Sequence, residues 1–390
     1  MSEDHLGRVA PALRAAGIDG WLFYNVYHRD HVADAILGVP ANAMNTRPWA
    51  ALVAADGTVS RIVHAIEAGV LGHLPGPVAT YASRGEFVAC LRAACTRRTP
   101  VAINYSATIP ALSLVDHGLV ALLRQLAIPT LPAETLIQRV LGVLTAAGRA
   151  SHDRAAVLVR GVLDDAWQRL AERIRGRAAV SEGEVRDWIA AAFARHGLIT
   201  EEAPLVAAGT HSNDPHYQPA GAGAAIAPDQ VVQFDLWARE PGADGVYADI
   251  SWVAYTGHTV PEPIARIFAA LCAARDGAVA FIRERLAATQ PVSGAAVDRH
   301  TRAILDRHRL LPWVRHRTGH AIDTRLHGIG VNLDTVEFPD PRPLLHGSCF
   351  SIEPGVYRPE YGLRTEINAY VHGRELVVSG GAPQREVLHL

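Results

Sequence analysis

The sequence predicts an α+β fold: a C-terminal domain on a curved antiparallel sheet with flanking helices, preceded by a smaller α/β domain. Three observations lead there. Helix-like and strand-like segments do not strictly alternate, which disfavours a parallel doubly wound sheet. At 390 residues the chain exceeds one typical core. Acidic residues also recur inside apolar, strand-like runs of the C-terminal half.

The elements follow in order. Leu13 to Gly17 reads as the end of a helix closed by glycine, before the strand Trp21–Tyr24. Ala50–Ala55, the turn Asp56-Gly57 and Ser60–Val63 form a hairpin pattern, and Val101–Tyr105 is a further strand. Trp49 is either a contact to a partner or substrate, or packing within its own domain. Gly142, Gly148 and Ser151 punctuate the boundary, so domains are expected at 1–145 and 150–390. Helical periodicity covers Asp153 to Ile174, and Ser181-Glu182-Gly183-Glu184 is a capping box opening a helix that runs to Gly197. Two more helices are expected over 262–286 and 293–309. Strands are expected at Val231–Trp237, Tyr247–Tyr255, Phe350–Val356 and Arg364–Val371.

Composition narrows the chemistry. The apolar fraction is 49% against 19% charged, which fits a globular chain. A formal net charge of −2 gives no field that would draw the chain to nucleic acid or an anionic membrane. All basic residues are arginine; without lysine there is no Schiff base, pyridoxal phosphate attachment or Walker-type phosphate loop. Cys90, Cys95, Cys272 and Cys349 form no CxxC pair, as expected of a reduced interior. The acidic start, Met1-Ser2-Glu3-Asp4-His5, precedes no apolar signal region, and no apolar run approaches the roughly 20 residues that span a bilayer. A soluble, cytoplasmic protein is the expectation.

Four blocks carry the candidate chemistry. Asp235 lies in Val231–Trp237 and Asp249 in Tyr247–Ser251; a hairpin would bring both carboxylates together, where repulsion calls for a cation. For this pair alone, acids at solvated strand ends are an equal reading. His316-Arg317-Thr318-Gly319-His320 is followed by His327, and three histidines within a dozen residues are unusual even in a chain with 19. Glu353 ends an apolar run before Pro354-Gly355, and Glu366 stands two positions after Arg364, on the same strand face. Four carboxylates and one imidazole are what two hard divalent cations sharing a water require.

These motifs, in this order, resemble the pita-bread metallopeptidases, the superfamily of methionine aminopeptidase, aminopeptidase P, prolidase and creatinase. Ile352-Glu353-Pro354-Gly355 with Gly362-Leu363-Arg364-Thr365-Glu366 is similar to the IEPG…GxRxE stretch of its proline-specific branch. His316–His320 resembles the HxxGH segment, and Asp214-Pro215-His216-Tyr217 the histidine-bearing strand upstream of the first aspartate. The N-terminal half resembles the creatinase-like domain that precedes the catalytic one.

The resemblance implies a dinuclear site binding two divalent metal ions. Asp235 would chelate one ion, His320 and Glu353 the other, and Asp249 and Glu366 would bridge them. Oxygen-rich ligation suits manganese, while zinc, cobalt and iron accept the same donors. Glu353 would also relay a proton, His216 and His327 would contact substrate and the oxyanion, and Arg364 would orient a carboxylate. The implied activity is cleavage of the bond before proline by a metal-bridging hydroxide, as in an Xaa-Pro aminopeptidase or dipeptidase. The implied partners are a peptide or small amide substrate and a second copy of the chain in a homodimer. Three departures stand out: a lengthened Asp235–Asp249 hairpin, Ala321–Arg325 in place of a glycine-rich stretch, and Gly328 after His327. Asp323 and Arg325 place charge near the expected substrate, which keeps open a metal-dependent hydrolase or lyase for a small non-peptide molecule. A non-catalytic binding protein on this fold is the third reading.

Overall fold

The computed structural model describes residues 5–96 and 100–390; the acidic start, Met1–Asp4, lies outside them. The chain divides into two compact units, Met1–Gly142 and Val143–Leu390.

In the first unit, α1 (His5–Ala16) stops at Gly17, whose φ of +66° supplies the left-handed turn that ends a helix. The strands are β1 (Gly20–Asn25), β2 (Trp49–Ala54), β3 (Val59–His64), β4 (Val78–Tyr81), β5 (Val101–Ile103) and β6 (Thr130–Pro132), with α2 (His31–Leu37), α3 (Arg84–Cys95), α4 (His117–Gln125) and α5 (Glu134–Val140) between and after them. They form one mixed sheet in the order β4-β3-β2-β1-β5-β6. The anticipated β2–β3 hairpin forms, with Ala50 opposite Ile62. Trp49 lies fully buried at the start of β2, so it packs within its own unit instead of facing a partner or substrate.

In the second unit, α6 (Ala146–Arg175) and α7 (Glu182–Arg195) cover one face of a sheet ordered β15-β9-β8-β7. Its strands are β7 (Leu205–Ala208), β8 (Val231–Ala238), β9 (Ala248–Tyr255) and, at the chain end, β15 (Leu388–His389). Strand alternation explains the packing. Val232, Phe234, Leu236 and Ala238 of β8 join Ala248, Ile250, Trp252 and Ala254 of β9 in the core under α6 and α7. Phe234 stacks on Trp167 of α6 at 3.6 Å between ring centroids. Asp235, Asp249 and Ser251 therefore project from the opposite face. There lie β10 (Cys349–Ile352), β11 (Gly355–Tyr357), β12 (Gly362–Arg364), β13 (Ile367–His372) and β14 (Glu375–Val378), backed by α8 (Glu262–Ala287) and α9 (Gly294–Arg307). The architecture is α+β.

Two sequence expectations need correction. Phe350–Val356 and Arg364–Val371 are not single strands; each splits, into β10 and β11 and into β12 and β13. Pro354 has no N–H for a ladder, and Thr365 and Glu366 turn their backbone groups elsewhere, Glu366 N–H donating to Ser251 O at 3.2 Å. Both breaks place an acid at the strand ends: beyond the Ile352–Ile367 pair the next positions are Glu353 and Glu366. Among the described residues, no helix is long and apolar enough to cross a membrane.

Candidate metal centre

The two aspartates meet diagonally across β8 and β9, where Asp235 stands opposite Ser251 and Asp249 opposite Trp237. Asp235, Asp249 and Glu366 are 8%, 6% and 1% exposed, which removes the reading of solvated strand ends. His320 is held from both sides of its backbone: its N–H donates to Ser351 Oγ at 2.9 Å and its carbonyl accepts from Ser351 N at 2.9 Å. Gly319 permits this approach, because a Cβ there would lie 2.0 Å from Ser351 O. Buried Asp298 of α9 fixes the same run by accepting from Thr318 N and Oγ1 at 3.1 and 2.6 Å.

Ligand-type atoms of Asp249, His320 and Glu366 all lie within 4.8 Å of one another. Nε2 of His320 stands 3.5 Å from Asp249 Oδ2 and 3.5 Å from Glu353 Oε1. Its Nδ1 is 3.1 Å from the Ala321 carbonyl, a contact that places the proton on Nδ1 and aims the Nε2 lone pair at the acids. Asp235 joins through Ser251, whose Oγ lies 2.6 Å from Asp235 Oδ1 and 2.9 Å from Glu366 Oε2. Arg364 donates through Nη2 to Asp235, through Nε to Ser251 Oγ at 2.9 Å and through Nη1 to Tyr357 at 3.1 Å.

The electrostatics describe a site short of positive charge. Burial raises the Asp249 carboxyl to about 6, with Asp235 and Glu353 adding and His320 opposing. Burial, then the charges of Asp249, Glu353 and Asp235, lift Glu366 well above the carboxylate range. For His320 burial pulls downwards, but Asp249 and Glu353 outweigh it and the imidazole is raised. Glu353 moves the other way: burial raises it, and His320, His316 and Arg364 together bring it below the usual value. Asp249 Oδ1 and Glu366 Oε1 are buried and meet no donor among the described residues. Buried carboxylate oxygens without donors are costly unless a cation takes them. The residues present therefore fit divalent metal, with oxygen donors, one imidazole and a carbonyl orienting that imidazole.

The sequence profile described as metallopeptidase family M24 matches residues 150–373, a stretch that holds all five of these candidates. The chain belongs to metallopeptidase family M24. Solved structures share the fold of the whole chain, including the family's pita-bread domain. Dipeptidase PepE of Mycobacterium ulcerans matches with a TM-score of 0.69 at 23% identity, over 99% of this chain and 96% of its own. An Xaa-Pro dipeptidase of Bacillus anthracis matches with 0.61 at 17%, over 99% of each. An X-Pro aminopeptidase of Thermotoga maritima matches with 0.58 at 16%, over 97% and 100%. No curated protein matches in sequence.

Within this M24 unit the cluster floors a cleft of about 650 Å³, lined also by His216, His327, His316, Arg315, Arg317 and Glu337. His216 is exposed to it, and His327 stands where its wall meets the metal-type cluster. The ring of His327 lies 4.4 Å from that of His320, and burial, His320 and Arg317 push its imidazole down to about 4. Asp323 and Arg325 do not line this cleft. The Asp323 carboxylate instead accepts from Arg325 N and Ile329 N, both at 2.8 Å, and so ties its own loop. The expectation that they charge the substrate region is thereby corrected.

Two contributors escaped the sequence reading. Ser251 links Asp235, Glu366 and Arg364; Tyr357 bridges Arg364 and His316, whose Nε2 is 2.7 Å from its hydroxyl. Tyr357 stands four residues after Glu353 and Ser251 two after Asp249, so period-two alternation from the acids was the signal that could have found them.

Proposed function

We propose that this M24 protein is a dinuclear-metal peptidase that cleaves the peptide bond before proline, in the manner of an Xaa-Pro dipeptidase or aminopeptidase P. The observation carrying this reading is the buried Asp249–His320–Glu366 cluster with its two donorless carboxylate oxygens, flanked by Asp235 and Glu353. The names of the solved relatives, two of them enzymes acting on Xaa-Pro or X-Pro peptides, support the substrate class.

Asp235, Asp249, His320, Glu353 and Glu366 would hold two divalent ions, with manganese suiting the oxygen-rich set. Ions so held supply Lewis acidity, activating water at neutral pH and polarising a carbonyl. The chain's own residues do the rest. Glu353 is ionised at neutral pH, so it accepts the proton of the attacking water and returns it to the departing proline nitrogen. His327 is neutral there and donates an N–H to the oxyanion as it develops, while His216 contacts substrate from the cleft wall. Arg364 keeps Asp235 oriented through its bond, with Ser251 as the second anchor.

The test is hydrolysis by manganese-loaded protein of Xaa-Pro dipeptides and Xaa-Pro-Xaa tripeptides against matched Xaa-Ala peptides. Release of the N-terminal residue from the proline set alone is expected. Equal turnover of the alanine set, or turnover of neither, contradicts the proposal.

A further inference from the structure

Glu182, the first residue of α7, is fully buried, and among the described residues no arginine pairs with it. Neutral groups and one imidazole surround it instead. Oε1 accepts from Ala208 N at 2.8 Å; Oε2 accepts from Ala224 N at 2.8 Å and from the Tyr217 hydroxyl at 2.7 Å. His211 Nδ1 approaches both oxygens, at 2.9 and 3.1 Å. All these partners belong to one segment, the connection leaving β7, so a single carboxylate gathers its two ends and its middle. Desolvating a carboxylate without a full counter-charge is expensive, and only several hydrogen bonds offset it. A surface loop needs no such anchor.

The segment is pressed against the helix. Glu182 N and Gly183 N donate to Ala224 O and Ala222 O at 3.0 and 2.8 Å. A Cβ at Gly183 would sit 2.4 Å from Gly221 O, and one at Gly223, where φ is +65°, would sit 2.8 Å from Glu182 Oε2. Two outputs of this segment reach the cleft. His216 precedes Tyr217, whose ring stacks on His211 at 4.3 Å while its hydroxyl is held by Glu182. Ser212 Oγ accepts from Gly362 N at 2.9 Å, at the first residue of the short strand that ends in Arg364.

We infer that Glu182 is a positioning residue: its carboxylate fixes the 208–224 segment so that His216 faces the cleft. It touches neither metal nor substrate and acts through His216. The inference rests on the proposed reading in that His216 must contact substrate.

A double-mutant cycle tests it. Glu182→Gln keeps the shape but turns an NH2 towards donors, and kcat/KM should fall by about tenfold to a hundredfold, the scale of a misplacement near 1 Å. In a His216→Ala background the same change should alter kcat/KM by less than about twofold, because the residue it positions is gone. Equal losses in both backgrounds would show a merely structural role and overturn the inference. Tyr217→Phe, which keeps the stacked ring, gives the same cycle with a smaller loss should Glu182→Gln fold poorly. A readout independent of turnover separates this from the activity itself. The imidazole resonance of His216, assigned by its loss in His216→Ala, should shift in Glu182→Gln while those of His346 and His372 stay. If the wild type cleaves no proline peptide, the functional reading fails and the resonance still decides; an unmoved His216 signal overturns the inference.

Discussion

His320 points Nε2 at Asp249 Oδ2 across 3.5 Å while its Nδ1 faces the Ala321 carbonyl. That orientation sets the pH behaviour of the whole centre. Asp249, raised from 3.8 to about 6, binds its proton more tightly folded than unfolded, and Glu366 and His320 shift in the same direction. Their stabilising contribution is full below the unfolded values and is lost as pH rises through the folded ones. The share of stability that protonated Asp249 gives metal-stripped protein should therefore be lost as pH rises from about 4 through about 6, whatever His327, whose lowered imidazole acts in the opposite sense, adds over the same range. Manganese should restore most at the upper end, where the ligands are deprotonated. Melting curves of the wild type and Asp249→Asn across that range, with and without metal, check both statements; a stripped wild type that does not fall behind Asp249→Asn as pH rises would contradict them.

Ser251→Ala removes the hydroxyl shared by Asp235, Glu366 and Arg364. Metal affinity should fall by about tenfold to a hundredfold, as when an outer partner of a ligand is lost. A competition titration against a chelator measures it. Ser251→Thr should bind nearly as the wild type.

Arg364→Met strands a buried Asp235. Both side chains are nearly enclosed, so the cost to metal-stripped protein should be about 3 kcal/mol, read from denaturant unfolding. Loaded protein should lose less, since a cation then faces Asp235. A variant as stable as the wild type would mean that the pair contributes nothing.

Much of this was readable from the chain because an acid inside an apolar strand is unusual. Asp235 and Asp249 break runs of apolar residues, and Glu353 and Glu366 stand beside Pro354 and Arg364. Alternation puts Ser251 and Tyr357 on the face of the acids, but which side chains their hydroxyls meet was not legible, because only the pairing register between distant strands decides it. Glu182 was read as part of a helix cap, and Ser181 does accept from Glu184 N, but the role of Glu182 depends on partners up to 42 residues away. Asp323 misled because a charged residue in a substrate-side loop says nothing about direction, and its oxygens turned to backbone N–H groups. The break at Pro354 had a signal in Pro354-Gly355, whereas Thr365, a residue common in strands, gave none.

Glu353→Gln should remove turnover by about a hundredfold to ten-thousandfold, the range for a lost proton-transfer group. The effect should fall mainly on kcat, in assays at saturating manganese. A Glu353→Gln enzyme within about twofold of wild type would exclude the proton-transfer role.

The most direct measurement is metal stoichiometry. Protein stripped by chelator, titrated with manganese and analysed by elemental mass spectrometry and calorimetry should take up two ions per chain. Asp249→Asn and Glu366→Gln should each abolish at least one. Uptake of no metal, or two ions bound as tightly by both variants as by the wild type, would contradict the account.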